Sequence, residues 1–226
     1  MQLPALIFDL DGTLLDSSPD LALAVNSLLD ELGYPPLSVE KVTEFIGDGT
    51  PKLAERSLID SGAIDSPDEP RFDDYFQRLL VFYEENLANK TTIFPGVREF
   101  LEDHKEHPMA VVTNKPDQFT RPVLEAFKLA DYFSFIAGGD RYAKRKPDPY
   151  PVEQAMASLG VRPEQTVMIG DGDTDILAGN AAGATTVAVL FGNRSPEELK
   201  SLNPDYTITA FSQLTTIIGN LKNPSS

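Results

Sequence analysis

Short, almost unbroken apolar runs separated by helical patterns constrain this chain most. The runs lie at 3–10, 109–113, 133–137, 167–169 and 185–190. Each has the length of a strand and not of a helix, and each lacks the polar–apolar alternation of a half-exposed strand. Amphipathic helical patterns fall between them at 97–104 (with Pro95 ahead), 118–127, 149–159 and 173–182. Strands covered on both faces and alternating with helices predict parallel βαβ units, an α/β, Rossmann-like doubly wound parallel sheet. A weaker sixth strand is expected near 206–209, followed by a closing helix to about residue 221.

The alternation fails between residues 17 and 92. That stretch reads as helices alone, at 20–32, 39–45, 51–61 and 71–89, with turns at Gly33-Tyr34-Pro35-Pro36, Gly47-Asp48-Gly49 and Ser66-Pro67. A helical block after the first strand is an insertion and not the next βαβ repeat. The expected organisation is a core formed by 1–16 and 93–226, with an inserted α-helical cap subdomain at 17–92. Residues 223–226 read as a frayed tail.

Charge and cysteine content narrow the chemistry. With 19 Lys+Arg against 35 Asp+Glu the net charge is −16, a long-range field that argues against nucleic acid or an anionic membrane surface as partner. There is no cysteine, which removes thiol nucleophiles, Cys-based zinc sites and iron–sulfur clusters. The start, MQLPALIFDL, has no basic leader pattern, and no apolar run reaches the ~18 residues of a membrane span. A soluble, cytoplasmic protein is expected.

Ligands of open parallel sheets sit beyond the carboxyl ends of the strands. The polar residues that follow the apolar runs are Asp9 and Asp11, then Thr113-Asn114-Lys115, then Gly138-Gly139-Asp140 leading to Lys144-Arg145-Lys146-Pro147, then Asp171 and Asp175. Crowded carboxylates repel unless a cation sits among them or some are protonated. Hard oxygen donors with no His or Cys beside them point to Mg²⁺. Plainer readings exist for most of these residues. Thr113-Asn114 could be an Asx turn before Pro116, Lys144-Arg145-Lys146 a solvated loop, and Asp173 and Asp175 a favourable helix start. His104 and His107 read as structural, and the aromatic residues between 72 and 83 as helix packing.

Phe8-Asp9-Leu10-Asp11-Gly12-Thr13-Leu14-Leu15-Asp16-Ser17 resembles the first motif of the haloacid dehalogenase-like phosphatases. Val111-Val112-Thr113-Asn114-Lys115 resembles the second, Lys146-Pro147 the third and Gly170-Asp171-x-x-x-Asp175 the fourth, all in the family's order. The resemblance implies that Asp9 is a carboxylate nucleophile forming an aspartyl-phosphate, and that Asp11 is the acid/base for the leaving oxygen and the attacking water. It implies Mg²⁺ held by Asp9, the Asp11 carbonyl and Asp171, with Asp175 in the outer shell. Thr113 and the Asn114 N–H would grip the phosphoryl oxygens, and Lys146, preferred to Lys144 by its place in the motif, would neutralise charge.

Ile46-Gly47-Asp48-Gly49-Thr50 is similar to the cap loop of the family's phosphoglycolate phosphatases, which usually carry Asn where Asp48 stands. With the two ends of the core motifs, it implies a small phosphorylated metabolite as substrate, foremost 2-phosphoglycolate. Gly47 and Gly49 are the expected cap contacts; Arg56 could meet a substrate carboxylate or be an exposed helix residue. A phosphosugar mutase related to β-phosphoglucomutase, a pyrophosphatase and a non-catalytic binding protein are the competing readings. Oligomeric state is left open.

Overall fold

In the computed structural model residues 3–222 are described, so the tail expected at 223–226 lies outside them. The elements run β1 (Ala5–Phe8), β2 (Leu15–Asp16), α1 (Ser18–Leu32), α2 (Val39–Thr43), α3 (Thr50–Asp60), α4 (Phe72–Glu85), β3 (Thr92–Ile93), α5 (Val97–Asp103), β4 (Met109–Val112), α6 (Asp117–Ala126), β5 (Phe135–Ala137), α7 (Tyr150–Leu159), β6 (Thr166–Gly170), α8 (Asp173–Ala181), β7 (Thr185–Val189), α9 (Pro196–Ser201), β8 (Tyr206–Ile208) and α10 (Gln213–Lys222). Six strands form one parallel sheet in the order β5-β4-β1-β6-β7-β8. Chain order runs outward from β1 to β4 and β5, then crosses to β6 on the other side, so the β1 end is the point where the topology switches.

Alternation along β1 serves two separate cores. Leu6 and Phe8 join one apolar cluster with Phe100, Val111, Ile169, Phe211 and Leu214; Ala5 and Ile7 join another with Ala110, Val112, Val152, Ala155 and Met168. Both faces being covered explains the near-continuous apolarity of the strand sequences. The Phe8 ring sits among Phe100, Phe133 and Phe211 at centroid separations of 6.1–6.3 Å. The run at 133–137 pairs only from Phe135, because a 3₁₀ turn at Ala130–Tyr132 carries Phe133 into that cluster first.

Helices α1–α4 pack as a block around a third cluster that holds Leu21, Val25, Leu28, Leu53, Leu58, Leu79 and Tyr83 and takes in Phe119 of α6. Helix α1 starts with a proline in its first turn and stops at Gly33, whose φ of 80° suits a residue without Cβ. Where the chain leaves and re-enters the sheet, β2 and β3 pair Leu15 with Ile93 and Asp16 with Thr92. Asp20 braces the same place: its carboxylate accepts from Lys90 N (2.7 Å), Thr91 N (2.9 Å) and Thr91 Oγ1 (2.6 Å). No described helix is long and apolar enough to cross a membrane.

Candidate active site

Asp9 follows directly on β1, its N–H donating to Ile169 O at 2.9 Å, so the central sheet itself aims the residue. The chain then turns sharply, with Gly12 N donating to Leu15 O at 2.8 Å and Gly12 at φ 87°. A Cβ on Gly12 would lie 2.0 Å from Asp171 Oδ2, so only glycine lets the β1 loop approach the β6 end this closely. Asp171 is fixed from both sides, accepting Thr13 Oγ1 at 2.8 Å and Asn193 N at 2.7 Å. Asp175, in the first turn of α8, folds back to accept Gly172 N at 2.9 Å. Asp9, Asp171 and Asp175 are all buried, and each offers a carboxylate oxygen within 4.8 Å of the other two.

Lys146, from the loop between β5 and α7, is the cation of this cluster. Its Nζ lies 3.0 Å from Asp9 Oδ1, pairs with Asp175 Oδ1 and donates to Val112 O at 2.6 Å. Burial pulls its pKa down, yet Asp175 and Asp9 more than compensate and leave it raised. Burial, reinforced by the charges of Asp9 and Asp175, pushes Asp171 well above the usual carboxylate range. Burial and Asp9 push Asp175 up to about 7 against the opposing pull of Lys146. One lysine among three buried carboxylates leaves negative charge uncompensated, since Lys146 at 3.0 Å from Asp9 Oδ1 is shared with Asp175. An all-oxygen donor set with that excess fits a hard divalent cation.

Facing the cluster, a narrow cavity of about 30 Å³ is lined on the sheet side by Asp9, Asp11, Thr113, Asn114 and Lys115. Leu21, Ile46, Gly47, Gly49, Thr50 and Leu53 line it from the helical block. Asn114 ties the two sides together, its Nδ2 donating to Gly47 O (3.1 Å) and Lys146 O (3.0 Å). Gly49 comes so near that a Cβ would stand 3.1 Å from Asn114 O. Asp11 receives Ser17 Oγ at 2.6 Å, while Lys115 Nζ lies 3.1 Å from both of its carboxylate oxygens and contacts the Tyr83 hydroxyl.

Arg56 is not brought to this cavity. Its guanidinium pairs with Asp48 Oδ2 at 2.6 Å and donates to Phe45 O at 3.2 Å, because α3 points that face at its own N-terminal loop. Asp48 also pairs with Arg194 at 3.3 Å, and Arg194 donates to Glu44 O at 2.9 Å, so this loop is fastened to the segment after β7. Lys144 is exposed and pairs with Asp148 at 2.9 Å, away from the cluster. Four residues of the neighbourhood had no role in the sequence expectation: Lys115, Tyr83, Asn193 and Arg194. Lys115 carried a signal, standing directly after Thr113-Asn114 at a strand end. Tyr83 was hidden in an apolar helical stripe, and the segment after β7 showed no motif.

The sequence matches the haloacid dehalogenase-like hydrolase family over residues 6–189. A phosphoglycolate phosphatase of Chromobacterium violaceum is 35% identical over 218 residues, covering 96% of each chain. One of Haemophilus influenzae is 39% identical over 217 residues, covering 93% of this chain and 96% of its own. Among solved structures, one from Haemophilus somnus described as a predicted phosphoglycolate phosphatase superposes with a TM-score of 0.89 at 33% identity, covering 96% of this chain and 98% of that one. The chain belongs to the haloacid dehalogenase-like hydrolases. Within that family it is an enzyme of the phosphatase kind, a phosphoric monoester hydrolase.

Proposed function

We propose that this enzyme is a Mg²⁺-dependent phosphomonoester hydrolase that works through an aspartyl-phosphate on Asp9, with 2-phosphoglycolate as its foremost substrate. The observation that carries the reading is the buried Asp9–Lys146–Asp171–Asp175 cluster at the β1 switch point, opening on a cavity that Asp11 also lines. Mg²⁺ would be held by Asp9, the Asp11 carbonyl and Asp171, with Asp175 outside them, and would supply neutralisation of phosphoryl charge.

An Asp9 carboxylate oxygen attacks phosphorus, and the bond from phosphorus to the ester oxygen breaks. Asp11 gives its proton to that departing oxygen. Water then attacks the phosphorus of the acyl phosphate, Asp11 takes a proton from it, and inorganic phosphate leaves with Asp9 restored. Lys146 neutralises the nucleophile and the transferring group; the Thr113 hydroxyl and the Asn114 backbone N–H hold the phosphoryl oxygens. Residues 17–92 act as a cap over the core of 1–16 and 93–226, with Gly47 and Gly49 bringing backbone close to the substrate and Leu21, Ile46 and Leu53 excluding water. The names of the curated relatives favour a compact ester, 2-phosphoglycolate first.

The test is phosphate release from a panel of small phosphate esters and pyrophosphate, with Mg²⁺ and with excess chelator. Preference for 2-phosphoglycolate, lost on chelation, is expected. Equal rates across the panel would remove the substrate assignment, and activity surviving chelation would remove the metal.

A further inference from the structure

The steps above leave Lys115 without a task, although it is buried in the cavity wall. A lysine on a flexible four-carbon stem is costly to bury unless its charge is met on the spot. Here it is met twice. One side of Nζ faces both Asp11 oxygens at 3.1 Å; the other faces the hydroxyl of Tyr83, with Nζ 4.6 Å from that ring's centroid. Tyr83 belongs to α4 and is itself fixed, its ring edge-on to Phe119 of α6 at 5.0 Å and 77°. Burial pulls the Lys115 ammonium's pKa down, but Asp11 and Tyr83 leave it raised; burial pushes the Tyr83 phenol up to about 12. The link is therefore a neutral phenol and a cation set against the carboxyl group of Asp11. Ser17, just ahead of α1, holds Asp11 Oδ1 from a third direction at 2.6 Å.

We propose that Lys115 is a positioning residue for Asp11, and that Tyr83 is the contribution of the helical block to the proton-transfer step: the phenol holds the ammonium, and the ammonium orients the Asp11 carboxyl group toward the leaving oxygen. The block then acts on the chemistry through a residue that need not touch substrate. This rests on the acid role given to Asp11 above. Proton transfer requires hydrogen-bond reach, and displacement of a catalytic group by about 1 Å can cost a hundredfold.

The test separates leaving groups. An alkyl ester such as 2-phosphoglycolate needs its departing oxygen protonated; p-nitrophenyl phosphate releases a stabilised phenolate and needs this far less. Tyr83→Phe removes one oxygen and keeps the ring on Phe119, and Lys115→Met keeps the length of the stem, so Tyr83→Phe carries the result if Lys115→Met does not fold. With Mg²⁺ present, Lys115→Met should lose about a hundredfold in kcat/KM on the alkyl ester, and Tyr83→Phe about five- to tenfold, a fraction of the full acid contribution. On the aryl ester each should lose about twofold at most in kcat/KM, which counts only the steps up to departure of the alcohol or phenol, so the hydrolysis of the aspartyl-phosphate that both esters share does not enter. Equal losses in kcat/KM on the two esters would overturn the proposal, as would a wild-type kcat/KM on the alkyl ester in Tyr83→Phe. A KM raised alike for both esters with kcat unchanged would overturn it by making Lys115 a ligand of the substrate. Asp11→Asn is the reference: if its own loss in kcat/KM is the same for both esters, the acid role fails and the proposal falls with it, whatever the other variants do.

Discussion

Asp48 and Asp9 each sit beside a cation, and the two pairs are built on opposite terms. Lys146 and Asp9 are buried at the end of the central strand, with Asp171 and Asp175 packed against them by glycines that admit no Cβ. Asp48 and its two arginines lie at the edge of the helical block, with side chains 18–36% exposed. Removing Lys146 from among these carboxylates would strand buried charge and cost about 3–5 kcal/mol, whereas Lys146 keeps Asp175 as partner if Asp9 loses its charge. An exposed pair is worth about 0–1 kcal/mol and weakens in salt. The sheet end thus holds groups where a small displacement is expensive, while the loop at 46–50 is fastened by contacts that can be made and broken at little cost. That division would suit the proposed mechanism, in which the reacting groups stay fixed while the helical block admits the substrate.

The largest effect is expected from Asp9→Asn. The change is isosteric, removes the proposed nucleophile and lessens the crowding of carboxylates. Phosphate release should fall below about 10⁻⁴ of the wild-type rate, and the thermal midpoint should hold or rise. Measurable turnover in a purified, folded variant would take the nucleophile away from Asp9. A large fall in the thermal midpoint would show that the residue serves the fold, and the contrast with the loop would lose its meaning.

A second, smaller effect concerns pH and metal. Asp175 is pushed up to about 7 in the native protein, against 3.8 for an ordinary aspartate, and Asp171 moves the same way. Between those values the native state keeps protons that the unfolded chain releases, so stability is greatest at the acidic end and falls as pH rises toward 7. Metal-free protein should therefore lose thermal midpoint between about pH 5 and 8, with each kcal/mol worth about 2–4 °C in a chain of this size. Saturating Mg²⁺ should flatten the slope by replacing protons as the counter-charge. Midpoints measured at several pH values, in chelator and in excess Mg²⁺, check this. A slope unchanged by Mg²⁺ would mean that no cation enters the cluster.

The same contrast explains what was legible in the sequence. Strands buried on both faces leave unbroken apolar runs, and residues at the ends of such strands have one direction to go, so Asp9 and Asp171 could be read beside their neighbours, whereas Lys146, in the loop between β5 and α7, stood out only through the Lys-Pro pair of the resemblance. Two-residue strands such as β2 and β3 have no period, and α9 is too short to show one, although its start is capped by Ser195 accepting Glu198 N with Pro196 in the first turn. Tyr83 has the spacing of a packing residue and is one, with a hydroxyl that reaches Lys115 only because of how α4 meets α6. Arg56 was open between substrate contact and surface residue because helical spacing says nothing about which loop a guanidinium will find.

The smallest effects should come from the loop, and they divide its two arginines. Arg194 joins Asp48 and Glu44 O to the segment after β7, whereas Arg56 joins Asp48 and Phe45 O within the helical block. Losing an exposed pair worth at most about 1 kcal/mol allows at most about a fivefold change in an equilibrium. Arg194→Ala should raise KM for 2-phosphoglycolate about threefold at low ionic strength with kcat unchanged, and the gap should close as added salt weakens the same pair in the wild type. Arg56→Ala leaves the link between block and core in place and should change KM by less than about twofold. KM measured for both variants across a salt series decides the matter. If Arg56→Ala raises KM tenfold or more, its guanidinium reaches the substrate's second anionic group during turnover. If Arg194→Ala lowers kcat by a similar factor, the loop takes part in setting the reacting groups, and the separation between a fixed sheet end and a loosely fastened cover no longer describes the enzyme.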